Sequence, residues 1–258
     1  MAETAAPSPF HMPGPSHTDL QSFSASALQP FPSWLLGLLQ AGDSFYPTGS
    51  YSHSFGLEPL VQAGVVHDRA TLRDFVLLAA LPALRHTELP LAAHAWRAFD
   101  GPDWPQLAEL CLLSSALKTA REARAASENI GRQRAELLAN LRAHPLAQEY
   151  LRRAAHGQWP HAASVSAALE GRVLGAPLPA VLTGITYAAL SALLSAAMKI
   201  LRLGQTAAQS LLTEALGAAP DIITAAAVTP LEDIGWFNPW LDIAAARHES
   251  ADTRMFIS

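Results

Sequence analysis

Cysteine occurs once, at Cys111, among 258 residues. No disulfide can close within the chain and no thiolate cluster can hold a metal, which suits a reducing cytoplasmic setting. Lysine is almost as scarce, with only Lys118 and Lys199, and arginine supplies the rest of the positive charge. Charged residues make up 15% of the chain, against a typical share of about 25%. Half of the residues are hydrophobic, so much of the surface must be hidden in a core or against partners. The net charge of −5 offers no basic footprint for nucleic acid. No charged n-region precedes an apolar core at the N-terminus, so no signal peptide is expected.

Catalytic signatures are missing as well. No Gly-Lys pair occurs, which excludes a phosphate-binding P-loop. There is no G-x-S-x-G nucleophile elbow and no H-E-x-x-H among the ten histidines. His156 and His161 are near enough to share a metal, but Pro160 interrupts them and they read as a polar loop. His67-Asp68 and His248-Glu249 each set a histidine beside a carboxylate, as surface pairs commonly do. His53, between Ser52 and Ser54 at a loop-to-helix junction, fits a capping group better than a triad member. No catalytic residue, cofactor or metal site is therefore expected. The competing reading is a helical enzyme with a site assembled from His53, Glu58 and His248.

What the chain does have is leucine and alanine at helical spacing. Runs of alternating β-branched residues are almost missing, which predicts an all-α, single-domain bundle of about ten helices. Residues 1–32, rich in Pro, Ser and Ala, should be a disordered arm, 33–249 the helical domain, and 250–258 a flexible tail. Trp34 to Gln40 reads as the first helix and Ser44 to Ser50 as a loop. A second helix should start between Ser50 and Ser54 and run to Gln62, with Pro59 distorting it. Thr71, answered by Asp74, reads as the cap of a helix to about Arg85. Pro90 suits the first turn of Glu88 to Phe99. Leu107, Leu110, Ser114 and Leu117 keep a helical step. Ala120 to Leu141 is Arg/Glu-rich, a helix with either a solvated face or a face that meets a partner.

Helices are also expected over Ala162 to Leu174, Pro177 to Leu201 and Thr206 to Leu216, the last closed by Gly217 and Pro220. Asn238-Pro239 should cap a final helix, Trp240 to His248. No charge separates Arg172 from Lys199, which is long enough for a membrane span of about 20 residues. Gly175, Pro177, Pro179 and Gly184 dilute the stretch, and it has neither an aromatic belt nor a basic flank. It reads as a helix packed on all sides, and no membrane contact is expected.

The stretch Leu39-Gln40-Ala41-Gly42-Asp43-Ser44-Phe45-Tyr46-Pro47-Thr48-Gly49-Ser50-Tyr51-Ser52-His53-Ser54-Phe55-Gly56-Leu57-Glu58 resembles the N-terminal block of the UreF urease accessory family. That block reads roughly L-Q-x-x-D-S-x-[FL]-P-x-G-[GS]-[FY]-x-[HY]-S-x-G-L-E. Three later blocks are similar in the same order. Leu117 to Arg124, with Ser127 and Gly131, resembles K-x-x-R-E-x-R. Lys199 to Thr206, with Gln209, resembles V-P-L-[GS]-Q-x-x-x-Q. Ala246 to Ser250, followed by Arg254-Met255-Phe256-Ile257-Ser258, resembles M-x-H-E-x-x-x-S-R-L-[FY]-x-S. Arg202 departs from the pattern's proline, and Ala251-Asp252 replaces its apolar-aromatic pair.

The resemblance implies a non-catalytic, all-α homodimer in the cytoplasm. Such a protein bridges a UreD(UreH)-type partner and the GTPase UreG, and regulates GTP-dependent nickel insertion into apo-urease. Pro47, Gly49, Tyr51, His53, Ser54 and Glu58 would then shape the surface for the GTPase, with Lys199 and Gln205 near it. Arg247, His248, Glu249 and Arg254 would belong to the tail that meets the UreD-type partner. Tyr187 would pack at the dimer contact or, alternatively, be a plain core tyrosine.

Overall fold

The computed structural model describes residues 32–50, 53–248, 255 and 256, and all of the regular structure among them is helical. The helices are α1 (Ser33–Gly42), α2 (Leu57–Gln62), α3 (Arg69–Phe75), α4 (Leu81–His86), α5 (Glu88–Ala98), α6 (Trp104–Ala116), α7 (Arg121–Arg142), α8 (Pro145–Gly157), α9 (Ala163–Leu174), α10 (Leu178–Ile200), α11 (Gln205–Ala227) and α12 (Pro239–His248). A single π turn, Val76–Ala80, joins α3 to α4, and only Thr87 separates α4 from α5, so the three form one rod. From Trp34 onward the described residues make one compact unit.

Local chemistry sets several of the helix starts. Asp68 caps α3: its Oδ1 accepts the Thr71 N–H at 2.8 Å, and Thr71 Oγ1 accepts the Asp68 N–H at 3.1 Å. Thr71 is thus the answering member of the capping box, not the cap itself, and the helix begins three residues earlier than the Thr71/Asp74 pairing suggests. Asp103 Oδ1 accepts the Gln106 N–H at 3.0 Å to open α6. Asn238 Oδ1 accepts the Leu241 N–H at 3.3 Å and opens α12, as its sequence position implies.

Three further elements differ from the sequence expectation. The second helix starts at Leu57, because Phe55 (φ 54°) and Gly56 (φ 81°) both adopt left-handed backbone that no helix can include. Pro59 then lies in the first turn, where its missing N–H costs nothing. Helix α11 continues past Gly217 and Pro220 to Ala227, since Ala219, Ile223 and Ala226 bury themselves in the core and outweigh the proline. Helix α8 fills the region around His156 that reads as a loop; Ala147, Tyr150 and Ala154 are its buried stripe.

Two buried clusters form the core. The first joins α5, α6, α7, α8 and α9, with Leu182 of α10 and the C-terminal half of α11. The second joins α2, α3 and α4 with Leu190, Leu193 and Leu194 of α10, Leu211 and Leu212 of α11, and Ala244 of α12. Helices α10 and α11, each 23 residues and about 34 Å long at 1.5 Å per residue, run through both clusters as a spine. The uncharged stretch is therefore the helix on which both clusters pack. The rod Arg69–Ala98 and α10 are each long and apolar enough to cross a membrane, and 50% of the most apolar window of α10 is buried within the protein.

Small residues let the helices touch. A Cβ on Gly131 of α7 would lie 2.6 Å from the Ala162 carbonyl carbon, just before α9. One on Gly171 of α9 would meet Val181 Cγ2 of α10 at 2.3 Å.

Candidate docking site

The loop after α1 is shaped by its own polar groups. Asp43 Oδ1 accepts the Phe45 N–H at 2.6 Å, and Asp43 O accepts the Tyr46 N–H at 3.0 Å. Tyr46 O then accepts the Thr48 N–H at 2.8 Å, which folds the chain tightly around Pro47. Gly49 follows at φ 77°, a conformation that glycine adopts without strain. Pro47 and Gly49 face solvent while Thr48 is buried. Beside it, Thr48, Gly49, His53, Glu122 and Gln133 line a recess of about 230 Å³ against α7.

His53 and Ser54 are both buried. Burial holds the His53 imidazole below the ordinary histidine pKa, favouring its neutral form. Ser54 does the capping work expected here: its Oγ accepts the Glu58 N–H at 3.3 Å and its carbonyl accepts the Leu57 N–H at 3.1 Å. Tyr51 lies outside the described residues.

Glu58 is buried, and its two oxygens accept the main-chain N–H of Met255 at 2.7 Å and of Phe256 at 3.0 Å. Phe256 is itself buried, and the Lys199 ammonium sits 5.6 Å from its ring centre. The carboxylate of the first block, the lysine of the third and the aromatic residue of the fourth thus meet at one place. The second block joins through α12, where Thr119 Oγ1 donates to Asp242 Oδ1 at 2.8 Å. Its Lys118 pairs with Glu88 at 2.7 Å, and Arg124 Nη1 donates to Lys118 O at 2.9 Å. Burial alone would raise the Glu88 carboxyl, but the Lys118 ammonium holds it below the usual range.

Other expected residues lie apart from this convergence. Gln205 is the exposed first residue of α11, and Tyr187, at 45% exposure, stands on the outer face of α10. Arg247 and His248 end α12, with side chains outside the described set, as are Glu249 and Arg254. Among the described residues no three His, Cys, Asp or Glu side chains gather closely enough to hold a metal. His156 is exposed on α8, and the His161 ring lies edge-on to Tyr150 at 5.5 Å.

Two features escaped sequence reasoning. Phe237, Trp240 and Ile243 form an outward apolar stripe along α12 and its approach, with Phe237 80% and Trp240 77% exposed. Their i, i+3, i+6 spacing is readable, but such a stripe ordinarily marks a core face. The second is Tyr46, whose hydroxyl donates to Glu170 Oε1 on α9 at 2.6 Å. Arg134 of α7 pairs with the other Glu170 oxygen and lies 5.6 Å over the Tyr46 ring. Nothing in local spacing links residues so far apart.

The family model for UreF matches residues 66–216. The chain belongs to the UreF family. Among curated relatives, the urease accessory protein UreF of Bacillus sp. (strain TB-90) is 31% identical over 225 residues, covering 87% of this chain and 99% of the relative. That of Granulibacter bethesdensis is 34% identical over 219 residues, covering 83% and 89%. That of Arthrobacter sp. (strain FB24) is 30% identical over 226 residues, covering 88% and 98%. These matches are longer than the span of the family model, so the UreF likeness extends beyond the central helices.

Proposed function

We propose that this UreF-family chain is the non-catalytic scaffold of a cytoplasmic urease-maturation assembly. It bridges a UreD(UreH)-type partner and the GTPase UreG, and regulates GTP-dependent nickel insertion into apo-urease. The observation that carries this reading is the convergence of four sequence blocks on α2 and α12, through Glu58, Phe256, Lys199 and the Thr119–Asp242 bond. Blocks spread between Leu39 and Phe256 meet at one end of the protein.

Within this reading the Pro47–Gly49 turn, together with Tyr51 and the His53–Glu58 segment, receives the GTPase. Lys199 and Gln205 lie on the same side of the function. Arg247, His248, Glu249 and Arg254, with the exposed Phe237–Trp240–Ile243 stripe, meet the UreD-type partner. Exposed aromatic residues are frequent interface anchors. Tyr187 supplies the dimer contact, since a half-exposed tyrosine on the outer face of α10 leaves a ring for a second copy to cover.

Co-purification of the full chain with both partners tests the assembly. A stable three-component complex is expected, and nickel-dependent activation of apo-urease should need all of its members. A folded chain that forms no complex with either partner overturns the reading. Tyr51→Ala should weaken GTPase recruitment, and Tyr187→Arg should shift the chain from dimer to monomer in sedimentation.

A further inference from the structure

The buried polar contact at Tyr46 holds an exposed turn from beneath. Tyr46 is buried, and Glu170 is only 4% exposed. The phenol hydroxyl donates to Glu170 Oε1 at 2.6 Å, while Arg134 pairs with Oε2 and covers the ring. The main chain of the same residue is fully engaged in the loop, its N–H on Asp43 O at 3.0 Å and its carbonyl on the Thr48 N–H at 2.8 Å. Fixing the phenol therefore fixes the two backbone groups that define the turn around Pro47. Helices α7 and α9, which supply Arg134 and Glu170, are themselves locked together by the Gly131–Ala162 contact.

We propose that Glu170 and Arg134 are positioning residues which, through the Tyr46 hydroxyl, hold the Pro47–Gly49 turn in the shape presented to the GTPase partner. The inference rests on the docking reading above. Burial, and then the neighbouring Glu170 carboxylate, raise the phenol's pKa, so it remains a donor throughout the neutral range. Tyr46→Phe keeps the buried ring and removes only the hydroxyl that reaches Glu170. That substitution removes one donor and leaves a buried carboxylate oxygen without it, a large loss for a single atom.

The full-length chain is assayed for hydrogen exchange at the Thr48 amide and for affinity toward the GTPase in the presence of the UreD-type partner. In Tyr46→Phe the Thr48 amide should exchange about tenfold faster and recruitment should weaken about tenfold, while α9 amides such as Leu169 keep their protection. Glu170→Gln, which retains a carbonyl oxygen for the phenol, should keep most of the Thr48 protection that Glu170→Leu loses. Unchanged Thr48 protection in Tyr46→Phe, or equal loss in both Glu170 variants, overturns the strut. Recruitment weakened by Pro47→Ala but not by Tyr46→Phe overturns it too and leaves the docking reading standing. Recruitment indifferent to both substitutions removes the docking reading and this inference with it.

Discussion

The cluster around α5 to α9 and the end built from α2, α12 and the tail are held by different forces. In the first, alanine and glycine let helix backbones approach until there is no room for a methyl group, as at Gly131 and Gly171. Dense packing of that kind has one solution and little tolerance for change. In the second, short elements are tied by single polar contacts: Glu58 to the Met255 and Phe256 amides, Thr119 to Asp242, Ser54 to the start of α2. Leu57, Leu60, Ala244 and Phe256 are buried there, while Phe237, Trp240 and Ile243 point outward.

The comparison breaks most sharply at Gly131. Gly131→Val places side-chain carbon against the Ala162 main chain, which cannot move aside as a flexible side chain can. Overpacking against backbone should cost about 3 kcal/mol, read as a lower midpoint in urea denaturation with an unchanged slope. A loss below about 1 kcal/mol would show that α7 and α9 can slide apart, and the contrast with the α2 end would fail.

Glu58→Ala should act differently. It leaves the Met255 and Phe256 N–H groups without their acceptor and should cost about 2 kcal/mol. The effect should be local, with faster hydrogen exchange at those two amides and little change at α9. A uniform rise in exchange across the protein would mean that the tail is part of the core and not an exchangeable strap.

Much of the rigid body was legible in the sequence, because Leu and Ala at three- and four-residue steps mark a packed helix whatever it packs against. Caps at Asn238 and Asp103 were open to the same local chemistry. The stripe of α8 was equally visible at Ala147, Tyr150 and Ala154, but the neighbouring histidines and prolines drew the reading toward a loop. Helix α11 shows the limit of local rules, since Pro220 ends a helix by propensity and is overridden by burial of Ile223 and Ala226. At the α2 end the resemblance located the segment but not its contacts. Glu58, expected to shape the docking surface, is buried on the tail; Tyr46, within the expected loop, reaches Glu170. Pairings across more than a hundred residues leave no periodic trace.

Histidine sharpens the comparison in another way, since His53 is buried and His161 half-buried. Burial, reinforced by the Arg132 charge and opposed by Glu136 and Glu128, lowers the His161 pKa; burial also lowers that of His53. The unfolded chain takes up these protons near pH 6.5, before the folded protein does. Stability is therefore complete above that value and falls as pH drops through the folded pKa values. His161→Gln should flatten this fall in urea denaturation between pH 7 and pH 5. A profile as steep as the wild type's would mean that the His161 site takes up protons without strain, and that the first cluster is less closed than its packing implies.

The smallest effect is expected at Arg202, where the chain leaves α10 for α11. Its φ of 52° is left-handed, a conformation that strains any residue carrying a Cβ. The proline of the shared pattern cannot adopt it either, because its ring holds φ near −65°. Arg202→Gly relieves the strain but adds freedom to the unfolded chain, and the balance should be a gain of about 0.5 kcal/mol. Arg202→Pro should instead lower stability, by forcing a different exit from α10 just beyond Lys199 and so shifting the ammonium that sits over Phe256. Thermal denaturation of the two variants separates the cases. A proline variant as stable as the wild type would show that this exit from α10 has two accessible shapes, and that the position of Lys199 over Phe256 does not depend on the left-handed link.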